Sequence, residues 1–461
     1  MSYTLQNLDH NIFRAYDIRG IVGEALTDAT VYHLGRAFAT QAKKENVKNV
    51  CVAADGRISS PHLKNLLIEG LLDGGIDVSD IGFVATPVLY YAAHHSADLT
   101  GIMITGSHNP KDYNGFKMML SGNTLALDEI QQLKTIMLSQ DYSEGEGDVS
   151  ANDVRGAYIH SMVEDINLSR PLKTVVDCGN GIPGEMNPGV IKALGCEVTP
   201  LYCDVDGNFP NHHPDPGKIE NLTKCISEVK RLNADVGLAF DGDGDRVGIV
   251  TPKGNMVYAD RLMMLFAQDV LSRNAGAEII YDVKCSRLLN QVINEAGGTG
   301  TMWKTGHSLI KRKMRETGAL LAGEMSGHVF FKERWYGFDD GLYAAARLLE
   351  ILSASELDLD EIFAQFPNEM STPEINIQVS DENKFEIIEK MQAANYQGGD
   401  KNTIDGVRVD YSDGWGLVRA SNTTPVLVLR FEASSKVALE RIRDQFQAQL
   451  HAIDLSLNIC H

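Results

Sequence analysis

Three aspartates at alternate positions, Asp241, Asp243 and Asp245, are separated by single glycines and followed by Arg246, directly after the apolar run Val236–Phe240. Three carboxylates on a glycine-loosened loop can converge on one cation, and hard oxygen ligands suit Mg²⁺ or Ca²⁺. An EF-hand would need Gly at its sixth position and Glu at its twelfth, where this chain has Arg246 and Pro252. Three aspartates leave coordination positions open, so a further anionic ligand such as a phosphate is expected, with Arg246 offsetting surplus negative charge. Asp-Gly pairs also spell solvated turns; three in register after a buried run favour the metal.

Thr105-Gly106-Ser107-His108-Asn109-Pro110 follows a second apolar run, Gly101–Ile104. The glycine two residues beyond the serine of a G-x-S-x-G elbow is absent, so an acyl-transfer hydrolase is disfavoured. A serine can instead carry phosphate as a covalent intermediate. Alone, the segment also reads as a turn or helix cap. Beside the aspartates it gains meaning, because phosphoserine would supply the missing anionic ligand. Gly323-Glu324-Met325-Ser326-Gly327-His328 places a carboxylate and a hydroxyl at alternate positions, which an extended backbone turns to one face. That face suits sugar hydroxyls, and His328 could share it for proton transfer; a strand with a buried glutamate fits equally. Arg419-Ala420-Ser421-Asn422-Thr423-Thr424-Pro425 offers guanidinium, hydroxyl, amide and backbone donors to a phosphate, or forms a polar hairpin turn. Arg14, Arg19, Lys117, Lys284, Lys304 and His307 could line the same cleft or be surface charges. His212-His213 could bind metal, but its Pro-rich surroundings favour a loop.

These residues need a scaffold, and 461 residues suggest three or four domains. A formal charge of −20 repels nucleic acid and anionic lipid, so neither is an expected partner, and any phosphate site must be a local basic cleft or metal site. Seven cysteines without a C-x-x-C pair argue against disulfide scaffolds and zinc ribbons. With no apolar leader at the start and no 18-residue apolar run, a cytoplasmic protein is expected.

A repeat organises the chain. Residues 49–55 form a run ending in Asp55, then 61–72 show helical spacing (Leu63, Leu66, Leu67, Leu71) with Ser60 as N-cap, Gly74-Gly75 as stop and a strand over 76–83. The order recurs from Lys173–Asp177 to 196–202, and from Glu278–Asp282 to 299–304. Asp55, Asp177 and Asp282 are each about a domain's length apart, which predicts three similar α/β units. The C-terminal part alternates strands (374–379, 406–411, 416–419, 426–432) with helices (384–394, 435–452), an α+β pattern. The expected sections are 1–153, 154–255, 256–368 and 369–461.

Together the four motifs resemble the α-D-phosphohexomutase family: Ser107 stands in its phosphoserine loop, Asp241–Arg246 in its metal loop, Glu324–His328 in its sugar loop and Arg419–Thr423 in its phosphate loop. They occur in family order, one per section, and the resemblance spans nearly the whole chain. Glu-Met-Ser is similar to the family's bacterial phosphomannomutase/phosphoglucomutase members, where phosphoglucosamine mutases carry Gln in the middle. The opening Phe13–Gly20 is also similar to members that feed alginate and lipopolysaccharide synthesis.

The resemblance implies three related α/β domains with mixed sheets plus a C-terminal α+β domain like the TATA-binding-protein fold, around a central cleft. It implies an isomerase that interconverts hexose 6-phosphate and hexose 1-phosphate (mannose, glucose). Phospho-Ser107 would donate to the sugar, and glucose 1,6-bisphosphate would serve as intermediate and activator. One Mg²⁺ would sit on Asp241, Asp243, Asp245 and Ser107. Arg246 and Arg19 would support the transferring group, and Lys117 and His328 both stand as candidates for proton exchange. Glu324 and Ser326 would hold sugar hydroxyls; Arg419, Ser421, Asn422 and Thr423, with Tyr16, Lys284 and His307, would grip the distant phosphate. Hexose phosphates would be the partners of a monomer, and a hinge of the C-terminal domain would let the bisphosphate turn over. The rivals are a phosphoglucosamine mutase, a sugar phosphatase of the same fold, and a sugar-phosphate-binding subunit that would need neither Ser107 nor the acidic loop.

Overall fold

The computed structural model describes residues 3–5, 7–422 and 424–459. The first section is built on a mixed sheet ordered Ile18–Ile21, Tyr113–Leu120, Gly101–Ile104, Asn49–Ala54, Asp77–Phe83, Val149–Ala151, with Asn123–Thr124 on the flank of Tyr113–Leu120. Its central strand shows why both faces are apolar. Val50, Val52 and Ala54 join a core with the helices Asp28–Lys44 and Ser60–Asp73, while Cys51 and Ala53 point the other way, towards Val88 and Leu89 of the helix Thr86–His95. The four helical leucines Leu63, Leu66, Leu67 and Leu71 all lie in that first core. Ser60 begins the helix rather than capping it, and its hydroxyl donates to Asp55 Oδ1 at 2.5 Å.

The next two sheets repeat the theme. One runs Met256–Val257, Val247–Val250, Val236–Phe240, Lys173–Asp177, Glu197–Leu201; the other runs Thr299–Trp303, Glu278–Asp282, Leu321–Gly323, Val329–Phe331. The fourth sheet is antiparallel around Val426–Ala433 and Gly414–Ala420, and a core of its own joins it to the helices Lys384–Ala393 and Lys436–Ile453. The second and third sections instead share one continuous apolar cluster, which the helix Thr86–His95 of the first section also enters.

All four chemical motifs are hairpin loops. Gly101–Ile104 and Tyr113–Leu120, Val236–Phe240 and Val247–Val250, Leu321–Gly323 and Val329–Phe331, and Gly414–Ala420 and Val426–Ala433 are each antiparallel neighbours. In the first three, the strand entering the loop runs parallel to the strand leading to the repeated aspartate. Each loop is thereby delivered to the carboxyl end of its sheet, where ligands of open α/β sheets bind.

Candidate active site

Asp55 organises the serine loop. Its Oδ2 accepts from Thr105 Oγ1 at 2.8 Å and from the Gly106 amide at 3.2 Å, and Thr105 Oγ1 in turn accepts from the Ser107 amide at 2.8 Å. The buried Arg57 guanidinium closes the loop from below, donating to the carbonyls of Ser107 (2.8 Å), Asn109 (2.7 Å), Pro110 (2.6 Å) and Tyr113 (2.9 Å). Ser107 is held at φ 47°, a left-handed conformation that L-residues adopt only under tertiary constraint. Gly106 is required by the same clamp: a Cβ there would stand 2.4 Å from Arg57 Cζ. Gly106→Ala is expected to destabilise the fold by about 1–3 kcal/mol through overpacking, read as a lowered melting temperature.

The acidic loop meets this serine directly. Ser107 Oγ donates to Asp241 Oδ2 at 2.9 Å, with His108 Nδ1 at 3.2 Å on its other side. Asp241, Asp243 and Asp245 are fully buried, with ligand oxygens within 4.8 Å of one another. Two amides, Gly244 N and Arg246 N, donate to Asp241 Oδ1 at 3.0 and 3.2 Å, so the loop backbone turns its carboxylates inward. Burial pushes the Asp241 carboxyl up to about 8, with the Asp243 charge adding to it. Asp243 stays well below the usual carboxylate range: burial opposes this, but Lys117 outweighs it. The Lys117 ammonium lies 2.7 Å from Asp243 Oδ2 and also pairs with Asp245 Oδ2. Arg246 donates to Asp241 Oδ2 at 3.1 Å and to the Ser326 carbonyl at 3.2 Å. Among the described residues, the buried oxygens Asp243 Oδ1 and Asp245 Oδ1 have no hydrogen-bond donor, the donor-poor oxygen set that a hard cation satisfies. These residues can hold a metal.

The sugar motif is a tight turn rather than the extended backbone expected from its alternation. Glu324 N donates to the His328 carbonyl at 2.9 Å and Gly327 N to the Glu324 carbonyl at 3.0 Å, because the segment must reverse between antiparallel strands within five residues. Glu324, Ser326 and His328 nevertheless reach one cleft. Ser326 Oγ is 3.5 Å from Glu324 Oε2, and Glu324 Oε1 accepts the Gly306 amide. The Tyr16 ring crosses the first-to-third section gap to meet His307 edge-on at 5.1 Å. His328 forms an antiparallel bridge with Arg246, joining sugar and metal loops. Burial works against a charged His328 ring, but Asp245 and Asp339 outweigh it and raise its pKa.

Arg419 is buried, its Nε held by Asp405 Oδ2 at 3.0 Å and its Nη2 without a partner among the described residues. Asn422 reaches the Thr305 carbonyl at 3.3 Å, and Lys384 donates to the carbonyls of Ser421 (2.9 Å) and Thr424 (3.2 Å), pinning the loop. Thr423 lies outside the described residues. Lys284 is 3.3 Å from Glu374 Oε2. Arg19 is held by Asp17 at 2.5 Å, and Arg14 reaches Asp381 of the fourth section at 3.5 Å. Lys304 borders a crevice of about 300 Å³ with Asn422 and Asp405. His212 binds Asp177 Oδ1 at 3.0 Å, in keeping with a loop anchor.

Sequence reasoning missed Arg57, Asp339, Lys311, Asp405 and Thr86, whose hydroxyl donates to Asp243 Oδ2 at 2.6 Å. The repeated aspartates carried the one available signal: Asp282, like Asp55, accepts from its neighbouring loops, at Thr305 Oγ1 (2.9 Å) and Met325 N (3.2 Å).

Descriptions of the phosphoglucomutase/phosphomannomutase family match the chain in four stretches: alpha/beta/alpha domain I at 10–144, domain II at 156–254, domain III at 258–370 and the C-terminal domain at 374–449. A Pseudomonas putida protein named phosphomannomutase/phosphoglucomutase is 59% identical over 453 residues, 98% of each chain. A crystal structure of a phosphoglucomutase/phosphomannomutase family protein from Burkholderia thailandensis superposes with a TM-score of 0.93 at 50% identity, over 98% of this chain and 100% of that one. Aspergillus fumigatus N-acetylphosphoglucosamine mutase, solved in complex with GlcNAc-6P and magnesium, shares the fold at a TM-score of 0.62 and 13% identity, over 99% of this chain and 97% of that one. Among the described residues, no helix is long and apolar enough to cross a membrane.

Proposed function

The chain belongs to the phosphoglucomutase/phosphomannomutase family and is an isomerase that interconverts hexose 6-phosphates and hexose 1-phosphates; on that premise we propose that Ser107 carries the transferred phosphoryl group and that the four loops divide the work around it. The observation that carries this reading is the 2.9 Å contact between Ser107 Oγ and Asp241, on a backbone strained to present that hydroxyl.

Asp241, Asp243 and Asp245, with an oxygen of phospho-Ser107, would hold one Mg²⁺. Bound there, it supplies Lewis-acid stabilisation of charge on the transferring oxygens. Arg246 and Arg19 add fixed positive charge beside the phosphoryl group, which is what a loose, charge-spreading transfer requires. Lys117, paired with Asp243 and Asp245, and His328 are the two candidates for exchanging the sugar hydroxyl's proton. Glu324 and Ser326 hold hydroxyls that present alike in both orientations of the sugar. The unpartnered Arg419 Nη2 faces the distant phosphate, with Ser421, Asn422, Tyr16, Lys284 and His307 around it. Sections 1–153, 154–255, 256–368 and 369–461 then carry phosphoserine, metal, sugar and phosphate recognition in turn. Glucose 1,6-bisphosphate is both intermediate and activator, since it can rephosphorylate an emptied Ser107. We place the enzyme in the cytoplasm, in keeping with the free thiols among its described residues, and propose that it works as a monomer.

A coupled assay on glucose 1-phosphate and mannose 1-phosphate, run beside a free-phosphate assay, tests the reading. Hexose 6-phosphate should form without phosphate release; stoichiometric phosphate with no hexose 6-phosphate would overturn it. Arg419→Ala is expected to raise KM about 10- to 100-fold, the worth of a charge-assisted phosphate contact, with kcat less affected; initial-rate kinetics check it.

A further inference from the structure

Two thiols meet behind the acidic loop. Cys178 directly follows the strand Lys173–Asp177, and Cys203 lies two residues past the strand Glu197–Leu201, its parallel neighbour. Backbone bonds stitch the two exits together. Cys178 N donates to the Leu201 carbonyl at 3.1 Å, and Asn180 N to the Tyr202 carbonyl at 2.7 Å. Tyr202 is left-handed, at φ 50°, and the chain turns there to set Cys203 beside Cys178. The two Sγ atoms are 3.6 Å apart. A disulfide is about 2.0 Å long, so about 1.6 Å of approach separates this contact from a bond.

The pair is unequal. Cys203 is half-buried, whereas the other described cysteines, Cys51, Cys178, Cys196, Cys225 and Cys285, are buried. A small oxidant arriving from solvent therefore meets Cys203 first. The Cys178 thiol holds the Cys203 thiol below its ordinary range, because a Cys203 thiolate accepts that S–H, while burial pushes Cys178 itself up. That is the asymmetry of an attacking thiol and a resolving one.

We propose that Cys178 and Cys203 form a reversible disulfide, made by a hydroperoxide, that disarms the acidic loop. The Cys203 thiolate attacks a peroxide oxygen: an S–O bond forms, the O–O bond breaks, and the departing oxygen takes the proton that Cys203 released. The Cys178 sulfur then attacks the Cys203 sulfenic acid. The S–S bond forms, the S–O bond breaks, and the leaving hydroxide takes the Cys178 proton as water. Two thiols are oxidised, and one hydroperoxide is reduced to an alcohol (water, from hydrogen peroxide) and water. A dithiol reverses the bond by exchange and leaves as its own disulfide.

The segment between the cysteines carries the effect. Gly181 N donates to the Cys178 carbonyl at 2.7 Å, and a Cβ on Gly184 would collide with the Cys203 carbonyl, so both cysteines press on 181–184. From that segment Ile182 N holds the Gly242 carbonyl at 3.2 Å, and a Cβ on Gly181 would stand 2.8 Å from the same oxygen. Gly242 joins Asp241 to Asp243. Drawing the sulfurs together therefore shifts the support under two carboxylates. The loss of activity rests on the reading of those carboxylates as the metal loop; the bond itself does not.

Hydrogen peroxide is the probe, applied to the full-length enzyme. Peptide mapping without reductant should find Cys178 joined to Cys203, with the intact mass lowered by about 2 Da for the two hydrogens lost. Turnover should fall at least about tenfold, since a displacement of about 1 Å at a catalytic group can cost about 100-fold, and dithiothreitol should restore it. Cys203→Ser should keep its basal rate and stay active in peroxide. Cys178→Ser should stop at a Cys203 sulfenic acid, which dimedone captures. Because a hydroxyl at the buried Cys178 could unfold the chain, the wild-type peptide map and Cys203→Ser decide. Peroxide that leaves the two sulfurs unlinked would overturn the proposal, and a complete link with unchanged turnover would overturn its action on the loop. A chain that forms the bond but has no mutase activity even when reduced would sink the functional reading above and leave the disulfide standing.

Discussion

Ser107→Ala should reduce mutase turnover by at least about 10⁴-fold, the loss seen when the atom that forms the covalent intermediate is removed. Oγ is the only serine atom that reaches Asp241, and no neighbouring hydroxyl replaces it: Thr105 Oγ1 is occupied by Asp55 and the Ser107 amide. The loop itself should survive, because the Arg57 clamp and the Asp55 contacts are made to backbone atoms and Thr105 rather than to Ser107 Oγ. Intact mass of the wild type should reveal one phosphate that the variant lacks, with equal melting temperatures. Turnover within tenfold of the wild type would remove Ser107 from the reaction.

Metal removal should have the next largest effect. Stripping the enzyme with a chelator is expected to lower activity on the order of 10³-fold, with recovery on adding Mg²⁺, since a cation at transferring oxygens contributes several kcal/mol. Asp245→Asn should mimic the loss and resist rescue. Its Oδ1 has no donor in the fold, so an amide there adds a hydrogen where a cation would sit. The same change removes one of the two carboxylates holding Lys117, so the variant's melting temperature must be measured alongside its rate. Full activity after exhaustive chelation, checked by elemental analysis, would exclude a role for the metal.

Much of this was legible before any coordinates. The short apolar runs ending in aspartate and the helical leucine spacing marked the three α/β units, because those central strands are buried on both faces and the leucines of Ser60–Asp73 pack on one. Each of the four loops taken alone also read as an ordinary turn, cap or strand, and it was their occurrence together, in family order, that marked them as a site. What stayed hidden was the support. Nothing in the sequence singles out Arg57 and Lys311, since their value lies in the carbonyls and carboxylate that distant segments bring to them. Asp339 follows Phe338 with no motif around it; only the return of the chain across the sheet edge sets it behind His328. The sugar loop's shape was misjudged because alternation of polar side chains cannot tell a strand from a turn that also projects residues i and i+2 into one cleft.

The acidic loop is gripped from three sides. The Thr86 amide donates to the Asp243 carbonyl at 2.9 Å, Ile182 N to the Gly242 carbonyl at 3.2 Å, and Gly341 N to the Gly244 carbonyl at 3.2 Å. These three residues come from the first, second and third sections, so the carboxylates reach their working arrangement only when all three have docked. A nascent polypeptide that has not yet delivered Gly341 lacks a finished catalytic centre. The order of the chain thus leaves the acidic loop's last hold to be supplied by the third section.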